Sequence, residues 1–168
     1  MRGLRHAVLT ELVARVGETC NFTTLDGVDV LYLDRVEAPW PWRLQLDVGV
    51  HVPLHCTASG KLFLALMTHE RRARVLGQLA LARLTPNTLT TAAALREDCE
   101  RTAANGYAVD REEFIAGLIA VAVPVRDAAG EVRAAMAVHG PIARLSLEQM
   151  LGHLPALNEA AARMSLLL

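Results

Sequence analysis

Two runs of strictly alternating character, Leu118 to Arg126 and Glu131 to His139, lie on either side of Asp127-Ala128-Ala129-Gly130. In extended chain, successive side chains point to opposite faces. Val121, Val123 and Val125 therefore share one face and Ala120, Ala122 and Pro124 the other. In the second run, Arg133, Ala135, Ala137 and His139 alternate with Val132, Ala134, Met136 and Val138. A turn this short joins neighbouring strands only as an antiparallel hairpin, because a parallel pair needs a long crossover. One hairpin face is mostly small, so either a helix lies close against it or it leaves room for a ligand.

The remaining segments fit the same plan. Leu4, Val8, Leu12, Val13 and Val16 recur at helical spacing up to Gly17, a suitable left-handed cap. Cys20 to Leu25 and Val28 to Val36 read as strands joined at Asp26-Gly27, and Trp42 to Val48 reads as a third. Trp40-Pro41-Trp42 supplies anchors for a loop or an interface. Helices are expected over Ala58 to Met67, over Thr68 to Leu79 with Arg71, Arg72 and Arg74 on a solvated face, and over Thr91 to Asn105. A final helix begins at Ser146, with Gln149 completing a capping box, and carries an apolar stripe from Leu147 to Leu168. The order predicts an α+β fold with one core.

Composition narrows the function. A chain of 168 residues with 52% hydrophobic and 21% charged side chains is one globular domain and not a disordered segment. Seventeen basic against eighteen acidic residues leave a net charge of -1, so no positive field draws this segment onto nucleic acid. Cys20, Cys56 and Cys99 form no CxxC pair and suggest no disulfide framework or zinc knuckle. The apolar run from Leu118 to Val125 is too short to span a membrane, and no signal-peptide core follows Arg2 and Arg5. A reducing cytoplasm is the expected location.

The segment HCTASGK, His55 to Lys61, places Thr57 and Ser59 where a helix begins, and free amides and the helix dipole there favour an anion. The same residues serve equally as ordinary caps. Position 55 is His where a phosphate-binding P-loop needs Gly, and position 62 is Leu where it needs a hydroxyl. Cys56 and His55, adjacent on extended chain, point apart and form no direct thiol-imidazole pair, although His139 could serve from a distance. His51, His55, Cys56 and His139 lack metal-ligand spacing. Asp110, Glu112 and Glu113 read alone as a solvated acidic loop.

Taken in order, VPLHCTASGKLFLA, LTPNTLT, NGYAVDREEF and PVRDAAGEV with AVHGPIARL resemble the C-terminal effector-binding domain of IclR-type bacterial transcription regulators. The opening GETCNFTTLDGVDVLYLDRVE fits too, so the likeness covers nearly the whole chain. It implies a GAF-like or profilin-like curved antiparallel sheet flanked by helices, over residues 18–168, with no cofactor. Residues 1–17 would be the end of a linker helix from a winged helix-turn-helix DNA-binding domain, which lies outside these residues. The chain is then a fragment of such a regulator, or one whose start was assigned late.

The resemblance also implies a pocket. The amides of Ala58 and Ser59 would hold an effector carboxylate, and Asp110 would supply a polar contact across from them. Leu44, Leu46 and Val52 would form the apolar wall. Ala120, Ala137 and His139 stand at hairpin positions where the family often has Ser, Cys or Asn. Two hydrogen-bonding side chains are lost there and one imidazole is gained. This points to an organic acid larger or less polar than a two- or three-carbon keto acid, an aromatic one included. Partners implied are that effector, further copies of the chain in a dimer or tetramer, and DNA through the separate domain only. The rival readings are an assembly module with a filled pocket and a Cys56-dependent thiol enzyme on the same fold.

Overall fold

The computed structural model describes residues 1–41 and 46–168. Its elements are α1 (Arg2–Val16), β1 (Thr19–Asp26), β2 (Asp29–Val36), β3 (His51–Pro53), α2 (Ala58–Leu66), α3 (His69–Gln78) and α4 (Ala92–Asn105). After these come β4 (Ala108–Arg111), β5 (Leu118–Arg126), β6 (Val132–Pro141), α5 (Leu147–Leu151) and α6 (Leu154–Ser165). Among the described residues the strands form one curled antiparallel sheet in the order β3-β2-β1-β6-β5-β4. The α+β class and the flanking helices follow the sequence reading.

The alternation along the hairpin sorts the molecule into two cores. Val121, Val123, Val125, Met136 and Val138 join Cys20 and Phe22 on the face covered by α1, α5 and α6. Ala120, Ala122, Ala135 and Ala137 lie on the opposite face, with Val30, Tyr32, Leu62 and Leu95. Their small side chains let α2 approach closely. At Gly60 an added Cβ would fall 2.4 Å from the Leu54 carbonyl oxygen, so only glycine fits where α2 meets the chain before it.

Three expectations need correction. Leu46 to Val48 are not in a strand, the rest of the Trp42 to Val48 segment lies outside the described residues, and the third strand along β2 is instead β3. The last helix is two, because Pro155, in the first turn of α6, has no N–H to continue the ladder of α5. Arg72 is buried rather than solvated: it shares the inner side of α3 with Val75, and its guanidinium reaches the Ala65 carbonyl near the end of α2 at 3.4 Å. Trp40 anchors its loop, donating from Nε1 to the Gly17 carbonyl at 2.8 Å under the guanidinium of Arg144.

Candidate functional site

The cavity of interest opens where the N-terminus of α2 faces the small side of the sheet. Thr57 caps α2, its hydroxyl accepting from the Gly60 amide at 3.1 Å, while the Lys61 amide bonds the Thr57 carbonyl. The two amides between, those of Ala58 and Ser59, have no hydrogen-bond partner among the described residues. This is the pair of donors a helix start leaves over once its cap is made.

The sheet supplies the facing wall through its register. Asp110 pairs with Ala120 and Ala120 with His139, so the three stand in one line across β4, β5 and β6. At ordinary strand spacing the outer two are roughly 9–10 Å apart at Cα, with only a methyl group between them. The next line holds Ala137 opposite Asn21, and Asn21 accepts from the Arg35 guanidinium at 3.0 Å. Val52, Ala58, Ser59, Asp110, Ala120, Ala137 and His139 all line one cavity of about 30 Å³. Leu46 packs against the same core away from that lining, and Leu44 lies outside the described residues.

Sequence reasoning missed Asn21, Tyr32, Phe114 and Leu118, which with Thr57 of the HCTASGK segment complete the wall. Strand alternation carried a signal for Asn21: it is a polar residue between Cys20 and Phe22, whose side chains face the other core.

A buried ionic cluster supports Asp110. The Lys61 ammonium, fully buried on α2, lies 2.9 Å from Asp98 Oδ2 and 2.9 Å from Glu113 Oε1. Glu113 also accepts from the Arg111 amide at 2.8 Å and gives its own N–H to Asp110 Oδ1 at 2.7 Å. The turn holding these residues passes through Glu112 at φ 58, a conformation non-glycine residues seldom adopt. It is tied down by the LTPNTLT segment: the Thr85 hydroxyl donates to the Glu112 carbonyl at 2.6 Å and the Thr88 hydroxyl to that of Glu113 at 2.7 Å. Asp110 and Glu113 are thus buried, and the solvated-loop reading is corrected.

The electrostatics follow from burial. Desolvation pushes the Asp110 carboxyl up to about 7, with Glu113 reinforcing and backbone donors and Lys61 opposing. His139 is driven down to about 3 by burial and the nearby Arg35 charge, so its ring is neutral, and its buried Nε2 has no partner. Burial pushes the Cys56 thiol up to about 12 and the Cys99 thiol up to about 11, and Cys20 is raised as well. A nucleophilic cysteine needs the opposite shift. The four residues imagined around a metal are not brought together: His51 pairs with Asp26 at 2.7 Å at the surface, and His55 meets the Ala82 carbonyl at 2.9 Å. Among the described residues no three His, Cys, Asp or Glu side chains form a metal-sized group.

A small-residue sheet face, a pair of unpartnered amides at the start of α2 and a buried Asp-His line thus meet at one cavity. The family described as the bacterial transcriptional regulator IclR C-terminal domain matches residues 1–166. The chain belongs to the IclR family. It is 46% identical over 160 residues to the probable transcriptional regulator SauR of Cupriavidus necator, covering 95% of this chain and 64% of that protein. The crystal structure of the Thermotoga maritima IclR superposes with a TM-score of 0.91 at 32% identity, over 98% of this chain and 66% of that one. The inducer-binding domain of PobR from Acinetobacter, a double mutant in complex with 3-hydroxybenzoic acid, gives a TM-score of 0.92 at 26% identity, over 100% of this chain and 99% of that one. The chain spans 64% and 57% of the first two curated relatives, so it corresponds to the C-terminal regulatory part of such IclR proteins. Among the described residues no helix is long and apolar enough to cross a membrane.

Proposed function

We propose that this chain is the effector-sensing and oligomerisation domain of an IclR-type regulator, controlling DNA binding by a separate winged helix-turn-helix domain in the cytoplasm. The effector is an organic acid whose carboxylate rests on the amides of Ala58 and Ser59, with Asp110 and His139 meeting its other end. The observation that carries this reading is the buried Nε2 of His139, which has no partner, in a residue that lines the same cavity as Ala58 and Ser59. A buried nitrogen left unpaired is costly, and a ligand atom is the partner that relieves it. The PobR domain, similar over the full chain, holds an aromatic acid, which supports the same class here.

At about 30 Å³ the cavity is well below the ~150 Å³ that takes a benzene ring. An aromatic acid therefore enters only if wall side chains move, whereas a two- or three-carbon acid asks for less. This small volume also favours a second reading, an assembly module filled by its own side chains.

A thermal-shift screen from glyoxylate and pyruvate to hydroxybenzoates and phenylacetate separates the two. A ligand at about 100 times its Kd adds roughly 2.7 kcal/mol, a rise of several degrees at this size. A shift that His139→Ala weakens supports sensing, and no shift across the panel, with the domain still oligomeric, selects assembly.

A further inference from the structure

Around Asp110 the carboxyls outnumber the cations that serve them. Glu113 from the following turn and Asp98 from α4 already share the ammonium of Lys61 from α2, and Asp98 also meets the Arg101 guanidinium at 3.3 Å. Asp110 accepts only uncharged amides, those of Glu113 and Phe114. The other ionisable groups near it are Tyr32 on β2, Cys56 before α2 and His139 on β6, with Arg35 on β2 acting on Tyr32 and His139. Arg35 is turned to Asn21 and Glu37. A carboxylate placed on Ala58 and Ser59 adds another negative charge across a cavity of about 30 Å³ that no Lys or Arg side chain lines. At such separations two like charges are strongly disfavoured in a poorly solvated site.

We propose that this cavity takes up its carboxylate effector together with one proton from solvent, and that the proton resides on Asp110. The carboxyl group then changes from acceptor to donor and gives its hydrogen bond to an oxygen of the effector beyond the carboxylate. The class of ligand is thereby narrowed to acids carrying a keto, hydroxyl or ether oxygen next to the anionic end. This rests on the effector reading above and adds a proton to it. Burial has already brought the Asp110 carboxyl close to neutrality, so the uptake is small below about pH 7 and close to one proton above it. His139 stays neutral over this range, and Tyr32 and Cys56, both pushed up to about 12, stay protonated.

The test is calorimetric titration of the chain with pyruvate, propionate and 3-hydroxybenzoate between about pH 5.5 and 8.5, in buffers of different ionisation enthalpy. The expected result is a pyruvate Kd that weakens roughly 30-fold from pH 6 to 8.5, with about one proton absorbed per ligand at the upper end. Propionate, which lacks the keto oxygen, should bind roughly ten-fold more weakly than pyruvate at pH 6. Asp110→Asn, which cannot ionise, should bind pyruvate with a Kd independent of pH. Binding with no pH dependence and no proton uptake overturns the proposal, as do a slope that survives in Asp110→Asn and propionate binding as tightly as pyruvate. If that variant does not fold, the buffer comparison on the unsubstituted chain decides alone. No heat from any of the three acids at any pH counts against the effector reading itself and removes this one with it.

Discussion

Asp110 and His139 share one line across the sheet, and burial moves them in opposite senses. Because Asp110 binds its proton more tightly folded than unfolded, its contribution to stability is full below about pH 4 and lost as pH rises through about 7. His139 binds its proton less tightly when folded, so its contribution is full above about pH 6.5 and lost as pH falls toward 3. Between about pH 4.5 and 6.5 the two slopes, each up to about 1.4 kcal/mol per pH unit, oppose one another. Urea denaturation over that range should therefore show Asp110→Asn losing stability toward acid relative to the parent chain, and His139→Asn gaining it. Slopes of the same sign in both variants would show that the pair does not behave this way. Lys61 has a different role. Its removal leaves Asp98 and Glu113 buried without their ammonium, so Lys61→Met should cost about 3–5 kcal/mol, read from the same denaturation curves.

The main elements were legible where local chemistry decides them. Gly17 and Gly106 close α1 and α4 in the left-handed conformation, and Ser146 with Gln149 forms the expected capping box. Periodicity could not show that the helix is interrupted after Leu151, since the apolar stripe runs on through Leu154 and Leu157. Nor did it reveal β3, three residues long and held by pairing with β2 rather than by any pattern of its own. The site was legible unevenly for the same reason. Asp110 and Glu113 look solvated in sequence because their burial depends on Lys61, about fifty positions earlier, which no local pattern connects to them. Ala120, Ala137 and His139 followed from alternation and a resemblance, whereas Tyr32 and Phe114 reach the cavity only through the curl of the sheet and the turn after β4. The closest helix approach gives a direct check. Gly60→Ala puts a methyl group against the Leu54 backbone, so α2 must lift away, and the variant should lose about 2–3 kcal/mol or more in a melting experiment.

Viewed together, the two cores share a floor, because the same strands carry both. On β1 and β6, Asn21, Ala137 and His139 face the cavity, while Cys20, Phe22, Met136 and Val138 face α1 and α6. A ligand that alters the spacing of these strands alters the surface on which α1 rests, in a tightly packed interior that passes small shifts onward. Hydrogen exchange with and without pyruvate should accordingly slow amides in α1 as well as in the first turn of α2. Protection confined to α2 would show that α1 does not respond to the ligand.

The line formed by Asp110, Ala120 and His139 runs at right angles to the chain, so positions far apart in the gene lie side by side on one wall. A larger side chain at 120 would fill the gap between its two neighbours. If the effector proposed above does rest there, a new ligand preference would tend to revise the three codons jointly, and a library built to change it should vary them as a single unit.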